Sequence, residues 1–291
     1  MKYLRKKIKH KIEYFIIVIL YGIFRKIGYK KSSDFMGMFA EKLLKRLPIF
    51  KRMCNDIRAS SLKIPEKKIE KIALASINNF GRYIAEFQFI HSWTKNELEK
   101  HVKVLGLENL KTAEKKSTII LTAHQANWEV IVRYFYFRNE KVMIVNRSMN
   151  NPYVNKLIFN IRSQKNNFEY VDKNNASKKL IEGIKNKYFI GMLADVKLPG
   201  ITMPFLGRKA MCSDVIARLH DKYKVNIIPC SVTRVNETNF LLNFHPKVCF
   251  DNLRKNEDPY TEMTREINNI YERWIAENPE QWYWIHNRWK A

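Results

Sequence analysis

Thr118-Ile-Ile-Leu-Thr-Ala-His-Gln-Ala-Asn-Trp-Glu129 sets an apolar, β-branched run before a histidine, with an acidic residue five positions after that histidine. The run reads as a buried strand, His124 as the turn that follows it, and Glu129 as part of the first turn of a helix. A histidine there stands at the carboxyl end of a sheet strand, where open α/β folds place their active sites. With Glu129 holding one imidazole nitrogen, the other is left to take a proton from an attacking hydroxyl. Spacing alone proves little. Seven histidines, each with roughly a one in ten chance of an acid five residues on, give about 0.7 such pairs by accident. The alternative is a structural histidine. Asn127 most simply caps the helix that bears Glu129, with substrate contact as its other reading.

Outward from this segment the same alternation continues. Short β-branched runs occupy Ser117 to Thr122, Val142 to Asn146, Tyr188 to Leu193, Val225 to Thr233 and Phe240 to Phe244. Helical patterns lie between them at Trp128 to Phe137, Pro152 to Arg162, Ala176 to Lys187 and Cys212 to Tyr223. This predicts an α/β fold with a largely parallel central sheet flanked by helices on both faces. Ahead of it, Glu66 to Ile90 follows Pro65 and reads as one long helix, its apolar residues mostly three or four apart. Near the end, Asn278-Pro-Glu-Gln281 has the form of a helix start, predicting a final helix rich in aromatic residues.

A chain of 291 residues with 46% hydrophobic and 28% charged residues excludes wholesale disorder and a multi-span membrane architecture. Its 53 basic residues against 28 acidic ones give a formal charge of +25, which calls for an anionic partner. Cys54, Cys212, Cys230 and Cys249 lie too far apart for zinc ribbons or redox dithiols and read as buried thiols in a reducing compartment. The amino terminus narrows the partners. Lys2, Arg5, Lys6, Lys7, Lys9 and Lys11 precede the apolar stretch Tyr14 to Phe24, which is roughly half of a membrane span. Tyr21, Phe24 and Arg25 occupy the places where a cleavage site would need small residues, so a removable signal is not expected. The two readings are an interfacial anchor attracted to anionic membrane lipid and a buried core helix with a charged leader. Phe35, Met36, Met38, Phe39, Leu43, Leu44 and Leu47 predict a second amphipathic helix. The expected division is 1–50 for membrane-anchor helices and 51–291 for the catalytic domain.

No glycine-rich phosphate loop, Gly-x-Ser-x-Gly elbow or His-Glu-x-x-His is present, which removes most nucleotide, serine-hydrolase and zinc-protease readings. What the residues do resemble is the lipid A biosynthesis lauroyl/myristoyl acyltransferase family. His124-Gln-Ala-Asn-Trp-Glu129 is similar to its His-x-x-Asn-Trp-Glu form of the acyltransferase His-x4-Asp/Glu motif. Asn146-Arg-Ser-Met-Asn-Asn-Pro-Tyr153, Gly191-Met-Leu-Ala-Asp195, Met203-Pro-Phe-Leu-Gly-Arg208 and Pro279-Glu-Gln-Trp-Tyr-Trp-Ile-His-Asn-Arg-Trp-Lys290 resemble four further blocks in the family's order. Val196 departs from the family's glutamine, and Met211-Cys-Ser from its threonine-rich stretch. The resemblance implies a glycerol-3-phosphate acyltransferase-like fold and a membrane-associated O-acyltransferase. Its fatty acyl donor would be the thioester of acyl carrier protein or coenzyme A, with no other cofactor and no metal. Its acceptor would be a hydroxyl of a phosphorylated glycolipid, a lipid A precursor, at the cytoplasmic face of the bacterial inner membrane. Another phospholipid or glycolipid acceptor is the alternative. His124 is expected to be the general base and Glu129 its orienting partner.

Arg147 follows a strand and precedes a turn, so it either meets a phosphate or developing oxyanion at that sheet edge or is an ordinary surface arginine. Asp195 ends another strand at the same edge, to bind a sugar hydroxyl, pair with a catalytic cation, or cap its own turn. Arg208 is a weaker phosphate candidate. Arg288, four residues after Trp284 on the expected terminal helix, is placed to stack there or reach the site. Trp282, Tyr283, Trp284 and Trp289 belong either to the core or to a lipid interface. Sequons at Asn146, Asn175 and Asn236 carry no message in a cytoplasmic enzyme. A nucleic-acid partner is not expected, because the charge is dispersed and no recognised binding motif accompanies it. A noncatalytic membrane scaffold is disfavoured by the intact His124 and Glu129.

Overall fold

A computed structural model describes residues 2–111, 116–146, 148–163, 167–172, 176–253 and 257–290. Arg147 and Asn175 lie outside the described residues. The chain opens with α1 (Lys2–Ile27), α2 (Tyr29–Leu44), α3 (Pro48–Arg58), α4 (Glu66–Ser92) and α5 (Lys95–His101). The α/β part follows as β1 (Val102–Leu105), α6 (Leu107–Lys111), β2 (Thr118–Thr122), α7 (Glu129–Arg138), β3 (Val142–Asn146) and α8 (Pro152–Arg162). It continues with β4 (Phe168–Asp172), α9 (Ala176–Lys185), β5 (Phe189–Leu193), β6 (Ile201–Phe205), β7 (Arg208–Cys212) and α10 (Val215–Tyr223). Last come β8 (Asn226–Arg234), β9 (Phe240–Phe244), α11 (Pro259–Glu277) and a short 3₁₀ turn, Pro279–Gln281.

Seven strands form the central sheet in the order β1-β9-β8-β2-β5-β3-β4. All the pairings are parallel except β8 with β9. The five expected strands are all present, and β2 is buried along its whole length, as its unbroken apolar run requires. Successive β2 residues feed opposite layers: Ile119 and Leu121 join a core with α3, α4, α10 and α11, whereas Ile120 joins one with α7. β1, β4 and the antiparallel hairpin of β6 with β7 are additional to the expected strands.

Three sequence expectations are corrected. Cys212 closes β7, so the helix expected from that residue starts only at Val215. The helix expected after Asn278 is a single 3₁₀ turn; Asn278 makes no side-chain cap, and residues beyond Gln281 run irregularly. Trp282, Tyr283 and Trp289 there take partners on other elements, at Asp195, Phe80 and His124, and Phe205. Cys249 is exposed, unlike the other three cysteines.

The amino-terminal helices stand against the sheet through α4. Gly81 of α4 lets α2 approach so closely that a Cβ there would lie 2.3 Å from the Met36 carbonyl oxygen. Tyr21, Phe24, Met36, Ala85 and Phe87 form the shared core. The opposite face of α1 leaves Leu4, Ile8, Ile12, Phe15, Ile16, Ile19, Ile23 and Ile27 exposed, and α2 adds Phe35, Met38, Phe39 and Leu43. Among the described residues no helix is long and apolar enough to cross a membrane.

Candidate active site

β2 and β5 are adjacent and parallel, with Thr122 paired to Leu193. Two residues beyond each of these paired ends stand His124 and Asp195, so the sheet register itself delivers them side by side. His124 Nδ1 lies 2.8 Å from Asp195 Oδ1, while the other carboxylate oxygen accepts the His124 backbone N–H at 2.9 Å and the Trp282 indole N–H at 2.8 Å. Asp195 is fully buried, and burial pushes its carboxyl up. The His124 charge and the bonds from His124 and Trp282 outweigh this and hold it below the ordinary aspartate value.

The imidazole side chain is 22% exposed, with Nδ1 committed to Asp195 and Nε2 without a hydrogen-bond partner among the described residues. Its ring stacks with Tyr283 and meets Trp128 edge-on, and Phe80, Tyr83, Trp128 and Tyr283 close an aromatic pocket around it. The turn carrying His124 is held by the carboxyl-terminal segment. Ala126 adopts a left-handed conformation, φ 49°, which a residue with a Cβ rarely takes. Its N–H donates to the Gln281 carbonyl, and the Tyr283 N–H donates to that of His124, each at 3.0 Å. These bonds oppose the strain of the turn.

Glu129 is not the partner of this imidazole, and the expected dyad is corrected on that point. Its oxygens face the other way, 2.9 Å from His91 Nε2, onto the Arg162 guanidinium, and within reach of the Tyr83 hydroxyl. Burial raises the Glu129 carboxyl, yet Arg162 and His91 bring it down to about 2. The helix spacing that made Glu129 a candidate also turns it away, since a residue opening α7 points down onto α4 and α8.

The model of the bacterial lipid A biosynthesis acyltransferases matches residues 1–291. The chain belongs to that family. It is thus an acyltransferase of the lipid A biosynthesis family. No curated protein matches it. Among solved structures it is similar to the 1-acyl-sn-glycerophosphate (LPA) acyltransferase, PlsC, from Thermotoga maritima. The two are 14% identical over 94% of this chain and 99% of that one, at a TM-score of 0.41.

The acyltransferase's other expected site residues have different surroundings. Asn127 is buried; its Oδ1 accepts the Glu129 N–H at 3.3 Å and its amide donates to Glu86 at 2.9 Å, so it braces the turn entering α7, whose cap position is Trp128, and is closed to substrate. Arg208 binds Asp56 at 2.7 Å and lies over the Trp289 ring. Arg288 is buried, sits over Phe205 rather than Trp284, and donates to the Met211 carbonyl at 2.5 Å, bolting the carboxyl terminus to the hairpin. Trp282 and Trp284 are core residues. The direct contact of Trp282 with Asp195 was not foreseen, and neither was the buried pair of Glu86 and Arg234 at 2.8 Å. Among the described residues no group of three His, Cys, Asp or Glu side chains is arranged to hold a metal ion.

Proposed function

We propose that this acyltransferase moves a fatty acyl chain from the thioester of acyl carrier protein, or of coenzyme A, to a hydroxyl of a phosphorylated lipid A precursor. The work would take place at the cytoplasmic face of the bacterial inner membrane. The observation that carries the reading is the His124 imidazole, 22% exposed, with Nδ1 fixed by a buried carboxylate and Nε2 without a hydrogen-bond partner among the described residues, in a ring that lines a small aromatic cleft.

An alcohol is a weak nucleophile at neutral pH. His124 Nε2 takes the hydroxyl proton as the oxygen attacks the thioester carbonyl, a contribution of roughly 10²–10⁴ in rate. Asp195 fixes the Nδ1–H tautomer and stabilises the imidazolium as it forms. The tetrahedral intermediate collapses to the ester, the carbon–sulfur bond breaks, and the thiolate recovers the proton from the imidazolium. Arg147 follows β3, the neighbour of β5, and is proposed to meet phosphate or oxyanion charge.

The exposed stripe of α1, flanked by Lys6, Lys7, Lys9 and Lys11, fits an interfacial helix lying on anionic lipid, with residues 1–50 as the membrane-facing segment and 51–291 as the acyltransferase domain. Each cation near such a surface is worth about 1 kcal/mol. The excess positive charge also suits the acidic carrier protein and the acceptor phosphates.

Mass spectrometry of lipid A from cells carrying wild type, His124→Ala or no gene tests the reaction. Wild type adds one acyl chain that the other two lack; unchanged lipid A beside an altered phospholipid profile would make the acceptor a different lipid. Fractionation of the same cells tests the anchor. A chain lacking residues 1–26 leaves the membrane pellet, and its retention there would assign attachment to another surface.

A further inference from the structure

In the turn after β5 the backbone has left the sheet ladder, so each N–H there needs a new partner. Two are supplied by side chains from the carboxyl-terminal region. The Ala194 N–H donates to the Tyr271 hydroxyl at 3.1 Å, and the Lys197 N–H donates to His286 Nε2 at 3.1 Å. Asp195 therefore sits between two pinned amides, and the His286 end is the one contributed by an imidazole.

We propose that His286 is a positioning residue for Asp195, acting through the Lys197 amide to hold the carboxylate where it meets His124. The inference rests on the reading of His124 and Asp195 as the catalytic pair. To accept that amide, Nε2 must be bare, so the His286 proton resides on Nδ1 and the ring is neutral. Its surroundings favour this state. Burial, the charge His124 carries when it is protonated, and the guanidinium groups of Arg288 and Arg52 hold its pKa below the ordinary histidine value, against the pull of Asp195. The ring's own backbone is fixed as well. The Arg52 guanidinium donates to the carbonyls of Trp284 at 3.4 Å, Ile285 at 2.6 Å and His286 at 3.4 Å, while binding Asp56 at 2.8 Å. A small displacement of a catalytic group is enough to cost a large factor in rate. Because the proposed route runs through Asp195 and not through substrate, loss of His286 lowers turnover and leaves substrate affinity in place.

Two variants separate this role from general structural support. His286→Leu keeps bulk but offers no acceptor, and His286→Gln offers an oxygen near the position of Nε2. The expected result is a fall in kcat of about ten- to a hundredfold for leucine, with KM within twofold, and recovery of at least half of wild-type kcat for glutamine. Leucine within threefold of wild type, or glutamine as impaired as leucine, overturns the proposal. Nitrogen-15 NMR of histidine-labelled wild-type protein reads the tautomer without any variant and without activity. A protonated Nδ1 and bare Nε2 at His286 support the assignment; a protonated Nε2 overturns it even if both variants fail to fold. If wild type transfers no acyl chain, the proposed function fails while the tautomer still reports on His286.

Discussion

Two buried carboxylates stand on either side of the same turn, and only one of them holds the proposed catalytic base. Asp195 grips a partly exposed imidazole whose far nitrogen has no hydrogen-bond partner among the described residues. Glu129 is enclosed by His91, Arg162 and Tyr83, with both oxygens engaged and its histidine buried alongside it. Both acids are held below their ordinary pKa, so a depressed pKa does not distinguish them. Access does. A general base needs one free nitrogen within reach of substrate, and a charge network sealed on every side instead fixes helices to one another.

The largest effect expected from this contrast is on turnover. Asp195→Asn keeps the size of the side chain but loses the charge that fixes the His124 tautomer. Turnover per folded molecule is expected to fall about 10²–10⁴-fold with the fold retained. Steady-state transfer with circular dichroism on the same sample checks it, and near-normal turnover would break the pairing.

Glu129→Gln is expected to show its main effect in stability. Removing one member of a buried charge network costs about 3–5 kcal/mol, readable by urea unfolding, with a smaller turnover loss than for Asp195→Asn. The pH dependence has a definite sign. The Glu129 pKa is lowered from 4.5 to about 2 in the folded state, so its stabilisation is complete above pH 4.5 and is lost as pH falls toward 2. The Gln variant should lack that part of the acid loss. An equally steep loss in both proteins would show that Glu129 is not held as described.

A smaller effect is expected at Trp282. Trp282→Phe removes one hydrogen bond to the Asp195 carboxylate, worth about 1.5–3 kcal/mol for a charged acceptor. Part of this should appear as a drop in turnover of around tenfold. A change in KM alone would mean that the indole serves substrate and not Asp195.

The contrast also shows what was legible in the sequence. Ile119 to Leu121 and the four other β-branched runs identified the central strands because buried parallel strands need near-continuous apolar residues. β1 was missed because Val102-Lys-Val-Leu105 is short. β4 was missed because Phe168-Glu-Tyr-Val-Asp172 carries two acids, and the hairpin because Pro204 and Gly207 interrupt it. His124 was found from its strand-turn setting. Asp195 was placed at the same sheet edge but not assigned to His124, since it is 71 positions away and only the β2–β5 register joins them. Local spacing reaches one helical turn, and it favoured Glu129 for that reason. The aromatic terminus misled in the same manner: a local helix-start pattern yielded to contacts with Ser76, Asp195 and Phe205.

The most direct test combines His124→Ala with each acid variant and measures residual acyl transfer per folded molecule. If Asp195 acts through His124, Asp195→Asn has no further effect once the imidazole is gone, whereas the effect of Glu129→Gln persists because it acts through the fold. The reverse pattern, with Asp195→Asn still costly and Glu129→Gln silent in the His124→Ala background, would return the orienting role to Glu129 and contradict the account.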